Sequence, residues 1–377
     1  MINVRRYEIE TEFAQTGNRS ESITGTVNPP LYLSTAYRHP GVGQSMGYDY
    51  VRTGNPTRNL LEDKIAELES GREGFAFSSG MAAIQAIFSI YEPGDHFIVT
   101  QDVYGGSYRL FETHFKKFGL SFSYVQGNGR KEFEACIQSN TKGIFIESPT
   151  NPLMHQINIE EIAQLTNERD LHLIVDNTFY TPYIQRPIEL GADIVIHSAT
   201  KYIGGHNDCL AGLVVAESEE VCTSLRLEQN GSGAVLSPFD SWLLIRGLKT
   251  LPLRMKQQEQ NAKELVQFLS EHSLIADVLY PGRGGMISFR VTEEALAPKL
   301  LEYFELITFA ESLGGVETFI TYPATQTHAD IPEDVRTSYG VCNRLLRLSV
   351  GIESIEDLTA DFAHALDHAN QSLSTTN

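Results

Sequence analysis

At 377 residues the chain exceeds the roughly 250–300 residues at which a single hydrophobic core stops growing, so two lobes are expected. Its 48 acidic against 29 basic residues give a net charge of −19, and no Lys/Arg cluster forms a phosphate-backbone track, which argues against nucleic acid as a partner. No stretch approaches the ~20 apolar residues of a membrane span, and Met1-Ile2-Asn3-Val4-Arg5-Arg6-Tyr7-Glu8 lacks an apolar signal core, so a cytoplasmic protein is expected. Cys136, Cys209, Cys222 and Cys342 are scattered without CxxC or ligand-like spacing; they read as buried small residues or bystanders rather than disulfides or a zinc site.

Residues 1–60 are rich in turns and poor in periodicity, punctuated by Asn28-Pro29-Pro30, His39-Pro40-Gly41 and Gly54-Asn55-Pro56, and read as an arm that needs a surface to lie on. Helical spacing follows over 59–68, and Ser78-Ser79-Gly80-Met81-Ala82-Ala83-Ile84 sets small residues just before another helix. Apolar runs at 96–100, 143–147, 173–176, 194–197 and 212–216 predict strands, separated by helical segments such as 108–118 and 159–168. This βαβ rhythm predicts an α/β fold with a mostly parallel central sheet. After about residue 235 the pattern changes to a long helical tract at 251–271, a strand at 285–291, a helix at 295–303, a strand at 345–350 and an amphipathic segment at 355–366. That mixture predicts a smaller α+β lobe, with the polar tail Ser374-Thr375-Thr376-Asn377 expected to fray.

Lys201, in Ser198-Ala199-Thr200-Lys201-Tyr202, follows the run Asp193-Ile194-Val195-Ile196-His197, which places an amine at the carboxyl end of a buried strand, where α/β sheets bind ligands. Asp176 ends a second run, Leu171-His172-Leu173-Ile174-Val175-Asp176. An amine that forms a Schiff base and a carboxylate that keeps a pyridine nitrogen protonated are what pyridoxal 5′-phosphate requires. Alone, a lysine after a strand reads as a surface or salt-bridged residue; the pairing with Asp176 carries the inference. Gly80 and Met81 offer amides at a helix N-terminus suited to phosphate, although Ser-Ser-Gly by itself reads first as a plain N-cap. Ser198 and Thr200 flank Lys201 and would add hydroxyl donors to the same phosphate.

Tyr104, in Asp102-Val103-Tyr104-Gly105-Gly106, has a glycine pair beside it that lets its ring lie flat on a planar cofactor; the plainer reading is a half-buried loop tyrosine. Arg347 sits in Leu345-Leu346-Arg347-Leu348-Ser349-Val350, where a charge is costly unless paired. A substrate α-carboxylate would be a bidentate partner, but on local sequence a structural salt bridge is the stronger account. Glu311, in Glu311-Ser312-Leu313-Gly314-Gly315, is ambiguous, since a glutamate before a glycine-rich turn is commonly solvated. His206 and His328 lack HxH, HExxH or clustered acids, so no metal is expected.

In these residues the chain resembles the cystathionine γ-synthase family of pyridoxal-phosphate enzymes of cysteine and methionine metabolism, over essentially its whole length. The resemblance is carried by Tyr48-Asp49-Tyr50-Val51-Arg52-Thr53-Gly54-Asn55-Pro56-Thr57-Arg58, Ser79-Gly80-Met81-Ala82-Ala83, Asp102-Val103-Tyr104-Gly105-Gly106, Asp176-Asn177-Thr178, Ser198-Ala199-Thr200-Lys201-Tyr202 and Arg347-Leu348-Ser349-Val350-Gly351. Gln326-Thr327-His328 and Val341-Cys342-Asn343-Arg344 make it most similar to the bacillus-type branch that also acts as an O-acetylhomoserine thiolyase. It implies the aminotransferase-like fold type I, a large cofactor domain at 61–235, a C-terminal domain at 236–377, and an arm at 1–60 reaching into a neighbouring subunit of a homotetramer. It further implies that Tyr50 and Arg52 bind the neighbour's cofactor phosphate beside that subunit's Gly80, Met81, Ser198 and Thr200. Asp176 would pair with the pyridine nitrogen, Tyr104 would stack on the ring, and Asn151 would lie near the phenolic oxygen. Lys201 and Tyr104 are the catalytic residues so implied, and Arg347, Ser312 and Glu311 the substrate-binding ones.

Glu311 resembles the acidic residue of γ-synthases and γ-lyases, where β-lyases tend to carry an apolar or aromatic side chain, and Gly106 stands where methionine γ-lyases typically have cysteine. Thr53 replaces the second arginine of some succinyl-homoserine users. These choices imply γ-replacement on O-acetylhomoserine, with cysteine giving cystathionine or sulfide giving homocysteine, in methionine biosynthesis. A cystathionine γ-lyase or β-lyase is the alternative enzyme. A catalytically silent ligand sensor would be expected to lack Lys201, Asp176 or Arg347, and all three are present. The short junction Tyr280-Pro281-Gly282-Arg283-Gly284-Gly285-Met286 lacks the longer loop of many relatives and leaves the shape of the substrate channel open.

Overall fold

The computed structural model describes residues 7–329 and 331–376, so the expectations concerning residues 1–6 and Asn377 lie outside the described residues. In chain order the strands are β1 (Glu73–Phe77), β2 (His96–Thr100), β3 (Ser121–Val125), β4 (Thr141–Glu147), β5 (His172–Asp176), β6 (Ile194–Ser198), β7 (Gly212–Ala216), β8 (Ile275–Leu279), β9 (Met286–Val291), β10 (Thr308–Phe309), β11 (Phe319–Thr321) and β12 (Leu345–Ser349). Two compact units are present: Met1–Asp95, Lys142–Ile144 and Ile159–Pro252 in the first, His96–Thr141, Phe145–Asn158 and Leu253–Asn377 in the second.

In the first unit β5 and β6 pair in parallel with Asp176 opposite Ile196, while β7 runs antiparallel to both β6 and β1. Leu173, Ile174, Val175, Ile194, Val195 and Ile196 are all buried, which is why these strands read as continuous apolar runs rather than alternating ones. The helix Gly80–Ser89 buries Ala83, Ile84, Ala86, Ile87 and Phe88, and its N-cap comes down tightly on the start of β7. A Cβ placed on Gly212 would stand 2.2 Å from the Ser79 carbonyl oxygen and 2.9 Å from Ala83 Cβ. The helix Pro56–Glu69 begins on the Asn55 cap with proline in its first turn, the arrangement in which a missing N–H costs nothing. Residues 7–55 are not wholly irregular: the short helix Ile9–Ala14 docks through buried Phe13, whose ring meets Tyr183 edge-on at 6.3 Å, and Glu12 pairs with Lys64 at 3.0 Å.

In the second unit β2 and β3 pair in parallel, and a five-stranded sheet runs β10-β11-β12-β9-β8. Phe289, Ile320, Leu346 and Leu348 from that sheet share a core with Leu300, Leu358, Phe362 and Leu366 from the helices Leu296–Tyr303 and Ile355–Thr376. The last helix runs beyond the amphipathic segment expected at 355–366. It continues past residue 366 to Thr376 because buried Ala369 and partly buried Leu373 extend the same apolar stripe. The helix expected at 108–118 is instead Gly105–Thr113 followed by a tight 3₁₀ turn, Phe115–Phe118, that ends on Gly119 at φ 89°. β1, β3 and β8 escape the apolar-run criterion: β1 carries a glycine, β3 is mostly half-buried, and β8 is an edge strand without a buried residue.

Gly212→Ala should therefore push on the Ser79 carbonyl and lower the chemical-denaturation midpoint by the equivalent of about 1–3 kcal/mol. Gly231→Ala, in a helix with open space around the new methyl, should leave the midpoint unchanged or raise it by up to about 1 kcal/mol. Equal responses of the two variants would contradict the close approach.

Candidate active site

In the first unit the parallel pairing carries the ends of β5 and β6 to the same edge. Lys201 lies in the turn after β6 and is half-buried, its amide donating to Ser198 O at 3.1 Å and its carbonyl accepting from Gly205 N at 2.8 Å. Asp176 Oδ1 accepts from Thr178 N at 2.9 Å, and the Thr178 hydroxyl accepts from Ser198 N at 2.8 Å. Thr178 thus ties the acid to the strand end that precedes the lysine. Burial pushes the Asp176 carboxyl above the usual range, against the opposing pull of the Thr178 hydrogen bonds and His197. A carboxyl in that condition is stabilised in its ionised form by an adjacent cation.

Ser79 does cap its helix, accepting from Ala82 N through Oγ at 3.0 Å and from Ala83 N through its carbonyl at 3.1 Å. The Gly80 and Met81 amides belong to the first turn and have no acceptor within the helix. A Cβ on Gly80 would fall 3.0 Å from Ser198 Cβ and 3.1 Å from its Oγ, so only glycine lets this amide edge lie against the Ser198 hydroxyl without displacement. Thr200 Oγ1 donates to Ala211 O at 3.2 Å and accepts from Ala211 N at 3.0 Å, pinning the turn that carries Lys201. Arg52 and Tyr50 are exposed; Arg52 Nη1 donates to Asn230 O at 2.7 Å and its guanidinium stands 5.8 Å from the centre of the Tyr50 ring.

Behind Asp176 lies a pair that sequence reasoning missed. Buried His197 Nε2 is 2.6 Å from Oε1 of Glu69, which is also fully buried and accepts from Asn177 Nδ2 at 3.0 Å. The available signal was a histidine interrupting an apolar strand; nothing in the sequence marks Glu69 as its partner.

In the second unit Tyr104 N donates to the buried Glu147 carboxylate at 2.9 Å, which fixes the start of the helix Gly105–Thr113. The Tyr104 ring lies against Gly106, where a Cβ would come within 2.5 Å of Cε1, and Gly105 lets the chain pass the Thr327 carbonyl, 2.2 Å from the position of a Cβ. Arg347 is 2% exposed; Nη1 donates to Asn151 Oδ1 at 2.8 Å, and Nη2 to Thr321 Oγ1 at 3.1 Å and Ser312 O at 3.2 Å. Asn151, Ser312 and Arg347 are thus brought together through neutral acceptors, with Glu311 exposed beside Ser312. His328 is buried with Nδ1 2.9 Å from Thr327 Oγ1, and burial together with Arg347 pushes it down to about 3, so it stays neutral. Buried Asp102 accepts from the Thr150 hydroxyl and from Leu153 N at 3.3 Å, holding the loop that carries Asn151. Burial pushes Asp102 up to about 7 despite those two bonds.

A lysine and a carboxyl at the carboxyl edge of adjacent parallel strands, next to a glycine-edged helix start fit for a phosphate, fit pyridoxal 5′-phosphate and define a pyridoxal-phosphate enzyme of fold type I. The chain belongs to the Cys/Met metabolism PLP-dependent enzyme family, whose model matches residues 10–367. It is 61% identical over 358 residues, 95% of this chain and 96% of the relative, to the cystathionine gamma-synthase/O-acetylhomoserine (thiol)-lyase of Bacillus subtilis. Among solved structures it is similar to cystathionine gamma-lyase from Lactobacillus plantarum complexed with L-serine, at TM-score 0.94 and 41% identity, covering 97% of this chain and 100% of that one. Cystathionine gamma synthase from Xanthomonas oryzae in complex with aminoacrylate and cysteine matches at TM-score 0.94 and 36% identity, with the same coverage.

Asp102 supplies a pH test. Its folded value of about 7 lies above the ordinary 3.8, so the native state holds an extra proton between those values and Asp102 costs stability increasingly as pH rises through that window. Asp102→Asn stays neutral throughout. The stability of the variant minus that of wild type should climb by up to about 1.4 kcal/mol per pH unit across the window and level off above it. Denaturation midpoints whose difference is flat with pH would show that Asp102 is ionised without penalty.

Proposed function

We propose that this chain catalyses γ-replacement on O-acetylhomoserine in methionine biosynthesis: acetate leaves Cγ and a thiol sulfur takes its place. Cysteine gives cystathionine and sulfide gives homocysteine. The observation that carries this reading is the 61% identity, over 95% of the chain, to an enzyme named for both reactions.

Bound pyridoxal phosphate supplies an aldehyde that takes up the substrate's amine and a ring that accepts the electron pair left at Cα. Lys201 holds the cofactor between turnovers, then takes the Cα proton and moves a proton at Cβ so that acetate can depart. Asp176 keeps the ring nitrogen protonated. Gly80, Met81, Ser198 and Thr200 would hold the phosphate. Tyr104 would stack on the ring, Asn151 would lie near its phenolic oxygen, and Arg347, with Ser312 and Glu311, would take the substrate's α-carboxylate end. Residues 61–235 form the cofactor domain and 236–377 the smaller one.

The arm, residues 1–60, brings Tyr50 and Arg52 to the phosphate of a neighbouring subunit in a homotetramer that works in the cytoplasm. Ile23, Leu33, Val42 and Met46 support this reading, being apolar residues of the arm that stand exposed in the single chain. Thr53, whose hydroxyl donates to Tyr50 O at 2.7 Å, offers no charge for a succinyl carboxylate.

Purified enzyme should therefore show a kcat/KM at least about tenfold higher with O-acetylhomoserine than with O-succinylhomoserine, a difference of ~1.4 kcal/mol, and Lys201→Ala should abolish turnover with either. Comparable rates with the two esters would overturn the substrate assignment; an active Lys201→Ala would overturn the mechanism. The shared site is tested by unfolding, mixing and reassembling Arg52→Ala and Lys201→Ala chains. Hybrids should recover activity that neither parent has, and refolded hybrids that stay inactive would count against the arm's role.

A further inference from the structure

We infer that Arg58 is the positioning residue that fixes the Tyr50–Arg52 turn for phosphate binding, by gripping the main chain of that turn with a buried guanidinium. This rests on the reading of Tyr50 and Arg52 as phosphate contacts. Arg58 is 1% exposed, far below what a solvated arginine shows, and its donors run backward along the chain: Nη1 to Val51 O at 2.8 Å and Nη2 to Arg52 O at 3.1 Å. Its Nε lies 3.5 Å from Glu62 Oε1, one helical turn on. Glu62 in turn accepts from Ala76 N at 2.9 Å and Gln229 Nε2 at 3.0 Å, so the carboxylate that faces the guanidinium is itself tied to β1 and to the helix Glu219–Ser232.

The neighbours of Arg58 do the same for the rest of the arm. Asn55 Nδ2 donates to Tyr32 O at 2.9 Å, and Thr57 Oγ1 donates to Pro30 O at 3.1 Å while accepting from Tyr32 N at 3.0 Å. Asn55 and Thr57 hold the segment around residue 30, and of these three side chains it is Arg58 that reaches residues 51 and 52. A planar fork can span two successive carbonyls, whereas a lysine ammonium at the same place meets one at most. The exposed Arg52 guanidinium then hangs from a turn whose main chain is fixed on one side by Arg58 and on the other by the Thr53 and Gly54 amides, both donating to Tyr50 O at 3.0 and 3.1 Å.

The test compares pyridoxal phosphate with pyridoxal, which differs only in lacking the phosphate, as ligands of the full chain freed of cofactor. Arg58→Lys should weaken pyridoxal phosphate roughly 5–30-fold while leaving pyridoxal within about twofold of wild type. Arg52→Ala, measured alongside, should show the same selectivity. If Arg52→Ala is selective and Arg58→Lys is not, the positioning role is overturned; if Arg52→Ala is not selective, the phosphate reading beneath it fails instead. Equal losses for both ligands in Arg58→Lys would mark a general structural residue and also overturn the inference. Should Arg58→Lys not assemble, Glu62→Gln decides: a smaller but phosphate-selective loss supports the clamp, and a loss that is absent or equal for the two ligands rejects it.

Discussion

The parallel register of β5 and β6 is the constraint on which the cofactor chemistry depends. With Ile174 opposite Ile194 and Asp176 opposite Ile196, both strands end at one edge, and their next residues must leave the sheet there. A slip of one residue would reverse the faces of every side chain in the slipped strand. The buried Ile, Val and Leu side chains of these strands are the same ones that made them visible as apolar runs, so the core and the placement of Asp176 and Lys201 have one physical origin.

Within each unit the functional groups are held by buried polar residues that need not touch the substrate. Glu147 holds the Tyr104 amide, Asp102 holds the loop of Asn151, and Glu69 holds His197 behind Asp176. Low-dielectric surroundings make such contacts strong when complete and costly when broken, which suits residues whose task is to fix geometry. They also account for where the titration behaviour departs from the ordinary. Burial keeps His328 neutral, so it adds no charge beside Arg347 near neutrality, and raises Asp102 to about 7.

Much of this was legible in the amino-acid sequence because two separate signals coincided. The strands at 96–100 and 212–216 and the helix at 251–271 emerge with the expected bounds, since each is set by an uninterrupted apolar run or a sustained helical period. The placement of Lys201 and Asp176 at the ends of β6 and β5 was legible because each follows or closes a buried apolar run. The helical segment at 108–118 was misread because its pattern persists across His114 while the backbone tightens into a 3₁₀ turn. Glu69, Asp102 and Glu147 were illegible for a different reason: an acid buried by tertiary packing looks the same in sequence as one in water. Arg347 was half legible. Its apolar strand announced a buried charge, but only the folded chain shows that Asn151, Ser312 and Thr321 meet it.

The guanidinium of Arg58 addresses carbonyl oxygens, and a carbonyl oxygen is the same whatever side chain its residue carries. The side chain at position 51 can therefore change without loosening that hold. An arm built this way separates two properties that usually evolve against each other, the placement of a binding loop and the identity of the side chains it displays. Exchange at Thr53 would remove its hydroxyl's bond to Tyr50 O and yet leave the guanidinium's hold on residues 51 and 52 in place.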